Sequence, residues 1–254
     1  MRVEDIDPPR EAPGARDEIL RCLEALHLHW DRDVTLQSRR LRCYRDAAAA
    51  LLTRGLAFRC SCTRRDIRSH GDEDGRYPGT CRERRVHADA TGVRVRVEPG
   101  IWRFRDALQG LLESDLSATC GDYLIYRRDG LPAYHLAVVV DDAAQGVTTI
   151  VRGSDLLDVT PIHLHLQDRL GYPTPTYVHI PVLTDADGQK LSKQSGAAPI
   201  DRFRPAEAAA TALKCLGVAP PRELAGEEPA VLWRWALDNW QIERLTHQRA
   251  FALI

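Results

Sequence analysis

Apolar residues recur at helical spacing near the start of the chain. Ile19, Leu20, Leu23 and Leu26 share one stripe, which predicts a helix from about Ala15 to His29, after the proline-rich turn Asp5-Ile-Asp7-Pro-Pro-Arg-Glu11. A second helix is expected from Ser38, a residue suited to N-capping, through Leu41, Tyr44, Ala48, Leu51 and Leu52 to a stop at Gly55. Between about 60 and 85 the chain is rich in Gly, Asp, Arg and Cys and keeps no period. Val93, Val95 and Val97 then alternate with arginines, and with Ile101 to Phe104 they read as an antiparallel pair with one polar face. Tyr123 to Tyr126 is a further short strand. From Leu131 onward, apolar runs at Tyr134 to Val140, Val147 to Val151 and Tyr177 to Leu183 are separated by helical sequence, notably Ser154 to Leu170. Buried parallel strands alternating with crossover helices give that texture, so the fold class is α/β. Pro205 starts a helix over Ala206 to Leu216, and Trp233 to Trp240 opens a last one.

Composition narrows this picture. A chain of 254 residues with 44% hydrophobic and 28% charged residues can build one sizeable core or two small domains, which excludes a disordered or fibrous protein. No apolar run reaches the roughly 18 residues a membrane span needs, and no apolar segment follows the first charges, so a cytoplasmic protein without a membrane partner is expected. The formal net charge is -1, so attraction to nucleic acid has to come from local arginine clusters such as Arg64-Arg65, Arg82 to Arg85, Arg94 to Arg105 and Arg127-Arg128. Each cluster taken singly reads equally well as a solvated face.

Of the seven cysteines, Cys22, Cys43, Cys120 and Cys215 sit in apolar-periodic context and read as reduced core residues. Cys60, Cys62 and Cys81 fall within 22 residues among turn formers, a spacing that suits three thiolate ligands of a tetrahedral zinc ion. By residue type alone, His70, Asp72, Glu73 and Asp74 can each supply the fourth ligand.

The chain has 32 arginines and three lysines, and two of those lysines, Lys190 and Lys193, lie in the segment Gly188-Gln-Lys-Leu-Ser-Lys-Gln-Ser-Gly196. An ammonium is a compact point charge that can follow phosphate oxygens as they move, whereas guanidinium suits fixed planar anions. Keeping lysine in an arginine-biased chain, on a loop after a strand, points to phosphoryl or nucleotidyl chemistry at a sheet edge.

Lys190-Leu-Ser-Lys-Gln194 resembles the Lys-Met-Ser-Lys-Ser signature of class I aminoacyl-tRNA synthetases, in the leucine form of the glutamyl branch. Further similarity runs through Arg2-Val-Glu-Asp-Ile-Asp7, Arg127 to Asp142 and Gly146 to Leu157, and together these stretches resemble the shortened glutamyl-queuosine tRNA(Asp) synthetase family. The resemblance implies a Rossmann-like catalytic domain over residues 1–204, N-terminally incomplete, with a zinc- and acceptor-binding insertion at about 57–130. A C-terminal helical segment over 205–254 follows, with no anticodon-binding domain. It implies ATP with Mg2+ and glutamate as substrates, tRNA(Asp) carrying queuosine as acceptor, and a monomer. Lys193 and Lys190 carry over as catalytic residues and, with Ser192, as ATP-binding ones; Glu4, Tyr134 and Arg152 carry over as glutamate-binding residues. Structural Zn2+ would be held by Cys60, Cys62, Tyr77 and Cys81, because the family pattern ends in Tyr-x-x-x-Cys. Asp141 and Asp142 read as structural.

Class I synthetases pair the lysine loop with a His-x-Gly-His type motif, and none of the nine histidines here begins one. In the family it precedes the stretch matched by Arg2 to Asp7. Two expectations stand side by side: a coding region that extends upstream and yields an active ligase, or a zinc-stapled paralogue that binds tRNA without activating glutamate.

Overall fold

The computed structural model describes residues 1–8, 11–70, 76–87, 91–191, 200 and 202–252, except for the side chain of His70. Strand β1 (Arg2–Val3) pairs in parallel with β2 (Thr35–Leu36), and α1 (Ala15–Ala25) lies between them. A 3-10 turn over Gln37–Arg40 leads into α2 (Leu41–Thr53), which buries Tyr44, Ala47, Ala48 and Leu51 and ends before Gly55. Strand β3 (Ala57–Cys60), helix α3 (Arg64–His70) and strand β4 (Gly92–Val95) follow, and then β5 (Ile101–Asp106), β6 (Gly110–Asp115), α4 (Leu116–Thr119) and β7 (Leu124–Tyr126).

Helix α5 (Tyr134–Gln145) is followed by β8 (Thr149–Gly153), α6 (Thr160–Leu170), β9 (Thr176–Ile180) and β10 (Val182–Thr184). Strands β8 and β9 are parallel and in register from Thr149↔Thr176 to Gly153↔Ile180, with α6 as their crossover. The far side of β9 takes β5 in parallel at Asp106↔Tyr177, and β6 closes that edge, so the sheet order is β6-β5-β9-β8. A second sheet, β3-β4-β7, is antiparallel. The last elements are α7 (Pro205–Cys215), α8 (Pro229–Asn239) and β11 (Ala250–Ala252).

The main core joins α2, β4, β7, α5 and α6 through Tyr44, Leu51, Val95, Ile125, Leu136 and Leu166, each essentially inaccessible. Full burial of one such leucine contributes about 2 kcal/mol. Helices α7 and α8 pack on each other through Ala209, Leu213, Leu232 and Ala236.

Several expectations change. Tyr134 to Val140 is helix, not strand: Leu136 to Asp141 are all buried, and a helix covered on all sides shows no apolar stripe. The 93–97 and 101–104 strands do not pair with each other; β4 lies between β3 and β7, while β5 lies between β6 and β9. Nor is β4 polar-faced, since all four of its residues are buried, Arg94 included. The segment after Cys60 contains α3, and the C-terminal segment adds β11, which pairs in parallel with β10. Cys43 is exposed and Cys22, Cys120 and Cys215 only half-buried, so none of the four is sealed in the core, although Cys120 packs against it; all are free thiols.

Candidate active site

Arg152 projects from β8 opposite His179 of β9, its register partner, so both side chains leave the same face of the sheet. Helix α6 crosses that face and adds Thr160 and His163. The guanidinium Nε donates to His179 Nε2 at 3.0 Å, and one Nη donates to His163 Nδ1 at 3.0 Å. The other Nη donates to Thr160 Oγ1 at 2.8 Å and to the Leu156 carbonyl at 3.3 Å. His179 Nδ1 lies 2.6 Å from Asp106 Oδ2 at the end of β5, and His163 Nε2 lies 3.0 Å from His135 Nδ1. Burial, joined by the Arg152 charge, pushes His135 down to about 4 and His163 well below the ordinary histidine range. These rings are therefore neutral near pH 7.

Tyr134 opens α5 beside this group, 38% exposed, its ring 5.7 Å from that of His163. Its hydroxyl is raised above the ordinary tyrosine value by burial; Arg152 opposes this by charge and a hydrogen bond, and Glu4 reinforces it. Arg152 and Glu4 thus act on the Tyr134 hydroxyl in opposite senses. Glu4 is exposed and pairs with Arg2 at 3.3 Å, and Arg2 in turn binds Asp142 at 2.6 Å. Asp141, beside it, is fully buried and accepts hydrogen bonds from Gln37, Arg40 and Tyr44, the structural role expected of the pair.

After β10, Lys190 bridges back to Thr184 and its ammonium meets Asp155 Oδ2 at 2.5 Å. Ser192 and Lys193 lie outside the described residues. The lysine segment therefore starts next to the turn that follows Arg152.

Cys60, Cys62 and Cys81 converge, their sulfurs all within 4.8 Å of one another. Cys62 and Cys81 are 3.6 Å apart, and the Tyr77 hydroxyl lies 3.4 Å from Cys60 and 3.9 Å from Cys62. A tetrahedral zinc with bonds of about 2.3 Å to sulfur and about 2.0 Å to oxygen needs edges of about 3.8 Å and 3.5 Å, so four ligands of this set fit such an ion. The backbone N–H of Cys81 donates to the Tyr77 oxygen at 2.7 Å, a bond that suits an anionic oxygen. Burial raises Cys81, but hydrogen bonds from the Ser61 backbone, Tyr77 and Cys62 outweigh it and hold the thiol down at about 7. Asp72, Glu73, Asp74 and the His70 side chain lie outside the described residues. Beside the thiols is a hollow of about 280 Å³ whose walls include Arg64, Arg94, Arg127 and Arg128.

The residues the sequence did not single out are Asp106, Thr160, His163 and His179. Their signal was present: polar side chains inside apolar runs, as in Tyr177-Val-His-Ile180, are worth a partner when buried.

The α/β fold that carries this arginine and the start of the lysine segment is that of a class I tRNA synthetase catalytic domain. The sequence model of the family "tRNA synthetases class I (E and Q), catalytic domain" matches residues 1–207, and the chain belongs to that family and, within it, to the glutamyl-Q tRNA(Asp) synthetases. It is 44% identical to the Glutamyl-Q tRNA(Asp) synthetase of Ectopseudomonas mendocina over 99% of this chain and 85% of that protein. With the protein of the same name from Chromobacterium violaceum it shares 47% identity, over 96% of this chain and 83% of the relative. Among solved structures, a glutamate-tRNA synthetase from Elizabethkingia anophelis matches the whole chain with a TM-score of 0.79 at 18% identity; this chain covers 60% of it. A glutamate tRNA ligase from Elizabethkingia meningosepticum, in complex with its amino acid, matches 77% of this chain at a TM-score of 0.66 and 22% identity, with 45% of that chain covered. Both likenesses show the class I α/β fold. Among the described residues no helix is long and apolar enough to cross a membrane.

Proposed function

We propose that this chain is a ligase that activates glutamate with ATP and transfers it to the queuosine base of tRNA(Asp). The observation that carries the reading is that Arg152 and Tyr134 lie around the same histidine, His163, with Arg152 on the strand that leads to Asp155, the partner of Lys190, in a chain whose relatives bear that name. In the first step a glutamate carboxylate oxygen attacks the α-phosphorus of ATP, and the bond to pyrophosphate breaks as the mixed anhydride forms. A nucleophilic group on queuosine then takes the glutamyl carbonyl and AMP leaves. Glu4 pairs with the substrate ammonium, Tyr134 orients it, and Arg152 holds a carboxylate by charge and its remaining N–H. Lys193, assisted by Lys190 and Ser192, balances charge growing on the phosphates, the term that preorganised cations supply best. Mg2+ arrives with the ATP phosphates as part of that substrate.

Residues 1–204 are the catalytic unit in this reading, acting as a cytoplasmic monomer. The insertion at about 57–130 is stapled by Zn2+ on Cys60, Cys62, Tyr77 and Cys81, and its arginine-lined hollow lies where a tRNA backbone could be met. The test is glutamate-dependent exchange of pyrophosphate into ATP, followed by transfer of labelled glutamate to tRNA(Asp) with and without queuosine. Exchange and queuosine-dependent transfer are expected, with exchange lost in Lys193→Ala. Absence of exchange with retained tRNA binding would overturn the ligase reading in favour of a non-catalytic tRNA binder.

A further inference from the structure

We propose that Asp106 and His179 form a buried positioning pair that fixes the Arg152 guanidinium in the orientation in which it meets an amino-acid carboxylate. The inference rests on Arg152 being a substrate-binding group, as argued above, and adds two residues that do not themselves touch substrate.

Hydrogen-bond logic assigns every proton in the chain of contacts. A guanidinium has donors only, so the two ring nitrogens it faces, His179 Nε2 and His163 Nδ1, must both present lone pairs. The His179 proton is therefore on Nδ1, pointing at Asp106 Oδ2 at 2.6 Å. Asp106 cannot swing away to accept it elsewhere, because its Oδ1 takes the backbone N–H groups of Leu108 at 3.0 Å and Gln109 at 2.9 Å. Its Oδ2 also receives the His179 N–H at 3.2 Å. Both residues are sealed, with Asp106 1% and His179 0% exposed. On the other edge the His163 proton sits on Nε2 and is donated to His135 Nδ1. Four of the five guanidinium N–H groups are accounted for by His179, His163, Thr160 and Leu156, and the fifth is on the Nη that holds His163.

The arrangement solves an electrostatic conflict. A carboxylate placed directly on Arg152 would orient it but would also neutralise the charge an anionic substrate group needs. Interposing a neutral imidazole keeps the carboxylate one ring away, transmits its orienting effect through two hydrogen bonds, and leaves the guanidinium charge available. Sheet register makes this possible. His179 and Arg152 are partners across β8 and β9, and Asp106 ends β5 on the opposite flank of β9, so one face carries carboxylate, ring and guanidinium in line.

Asp106→Asn tests the pair with little change of shape. The amide oxygen can keep the backbone donors, but the amide N–H group would face His179 Nδ1 and drive the ring proton to Nε2, against the Arg152 Nε–H. The glutamate dissociation constant is expected to rise about 10- to 100-fold, that of ATP to stay within about twofold, and the His179 ring nitrogens, read by 15N NMR, to exchange roles. Arg152→Ala separates the two layers of inference. If it leaves glutamate binding unchanged, Arg152 is not the substrate group and the functional reading of this residue falls. If Arg152→Ala abolishes binding while folded Asp106→Asn binds glutamate as tightly as the unaltered chain, the positioning role falls instead. Should Asp106→Asn not fold, the ring-nitrogen spectrum of the unaltered chain decides: a proton on His179 Nδ1 supports the pair, and one on Nε2 overturns it.

Discussion

Arg40 Nε and Asp141 Oδ1 lie 2.6 Å apart, tying the start of α2 to a fully buried carboxylate of α5. The same carboxylate accepts from the Tyr44 hydroxyl at 2.7 Å and Gln37 Nε2 at 2.9 Å. Removing it leaves buried donors without an acceptor, so Asp141→Ala is expected to destabilise the chain by about 3–5 kcal/mol. Urea unfolding at pH 7 reads this directly; a loss under about 1 kcal/mol would mean the three donors find water instead.

The thiol cluster predicts a metal. The chain purified without chelator should carry one zinc per molecule, and Cys81→Ser should lower that content and destabilise the small separate core that Phe58, Cys60, Tyr77 and Cys81 form. Elemental analysis with thermal unfolding, before and after chelation, checks both effects. An unaltered melting curve on complete zinc removal would rule out a structural ion here.

Acid should weaken the fold before carboxylates titrate. His165 is sealed, donates Nδ1–H to Tyr123 at 2.8 Å and accepts from Arg169 at 3.1 Å; burial first, then the Arg169 charge, holds it down at about 4. The unfolded ring binds its proton near 6.5 and the folded ring does not, so the stabilisation is complete above about pH 6.5 and is lost as pH falls towards 4. Between pH 7 and pH 5 the loss is on the order of 2 kcal/mol for this one residue. Denaturant titrations at both pH values should show His165→Gln losing less stability over that interval than the unaltered chain; an equal loss in both would assign the acid sensitivity elsewhere.

Gly153→Ala should act on the lysine segment. A methyl group there would come 2.4 Å from Asp155 Oδ1 and 3.1 Å from the Val182 side chain, and Asp155 is the partner of Lys190. The half-exposed acid can swing away, so a change in melting behaviour under about 1 kcal/mol is expected together with several-fold weaker ATP binding. Calorimetric ATP titration checks it, and an unchanged affinity would show that Lys190 works without Asp155.

What the sequence made legible was local or chemical. Helix α2, strand β9 and the β8-α6-β9 crossover came from periodicity, and the three cysteines with Tyr77 from spacing together with resemblance. Helix α5 was misread because its interior, Leu-Ala-Val-Val-Val, is buried on all sides and β-branched, so neither a 3.6-residue stripe nor propensity distinguishes it from a buried strand. The pairing of β4 and β5 was misread because a three-residue spacer, Glu98-Pro99-Gly100, resembles a hairpin loop, while β4 takes β3 and β7 and β5 makes its hairpin with β6 and joins distant β9 at one pair. Such long-range pairing also creates the Asp106-His179-Arg152 line, which no window of sequence contains. Of the lysine segment only its start at Lys190 is described; Ser192 and Lys193 lie outside the described residues, so their part stands on resemblance and chemistry.

Strand β11 pairs with β10 through Val182↔Ala250, Leu183↔Phe251 and Thr184↔Ala252, and Thr184 is also the residue that Lys190 bridges. The root of the lysine segment is thus a guest of the C-terminal region as much as of the catalytic sheet. Opening of residues 205–252 would strip β10 of its hydrogen-bonding partner, so amide exchange at Val182 should follow the opening free energy of α7 and α8, two helices that thereby set how firmly the root of the lysine segment is anchored.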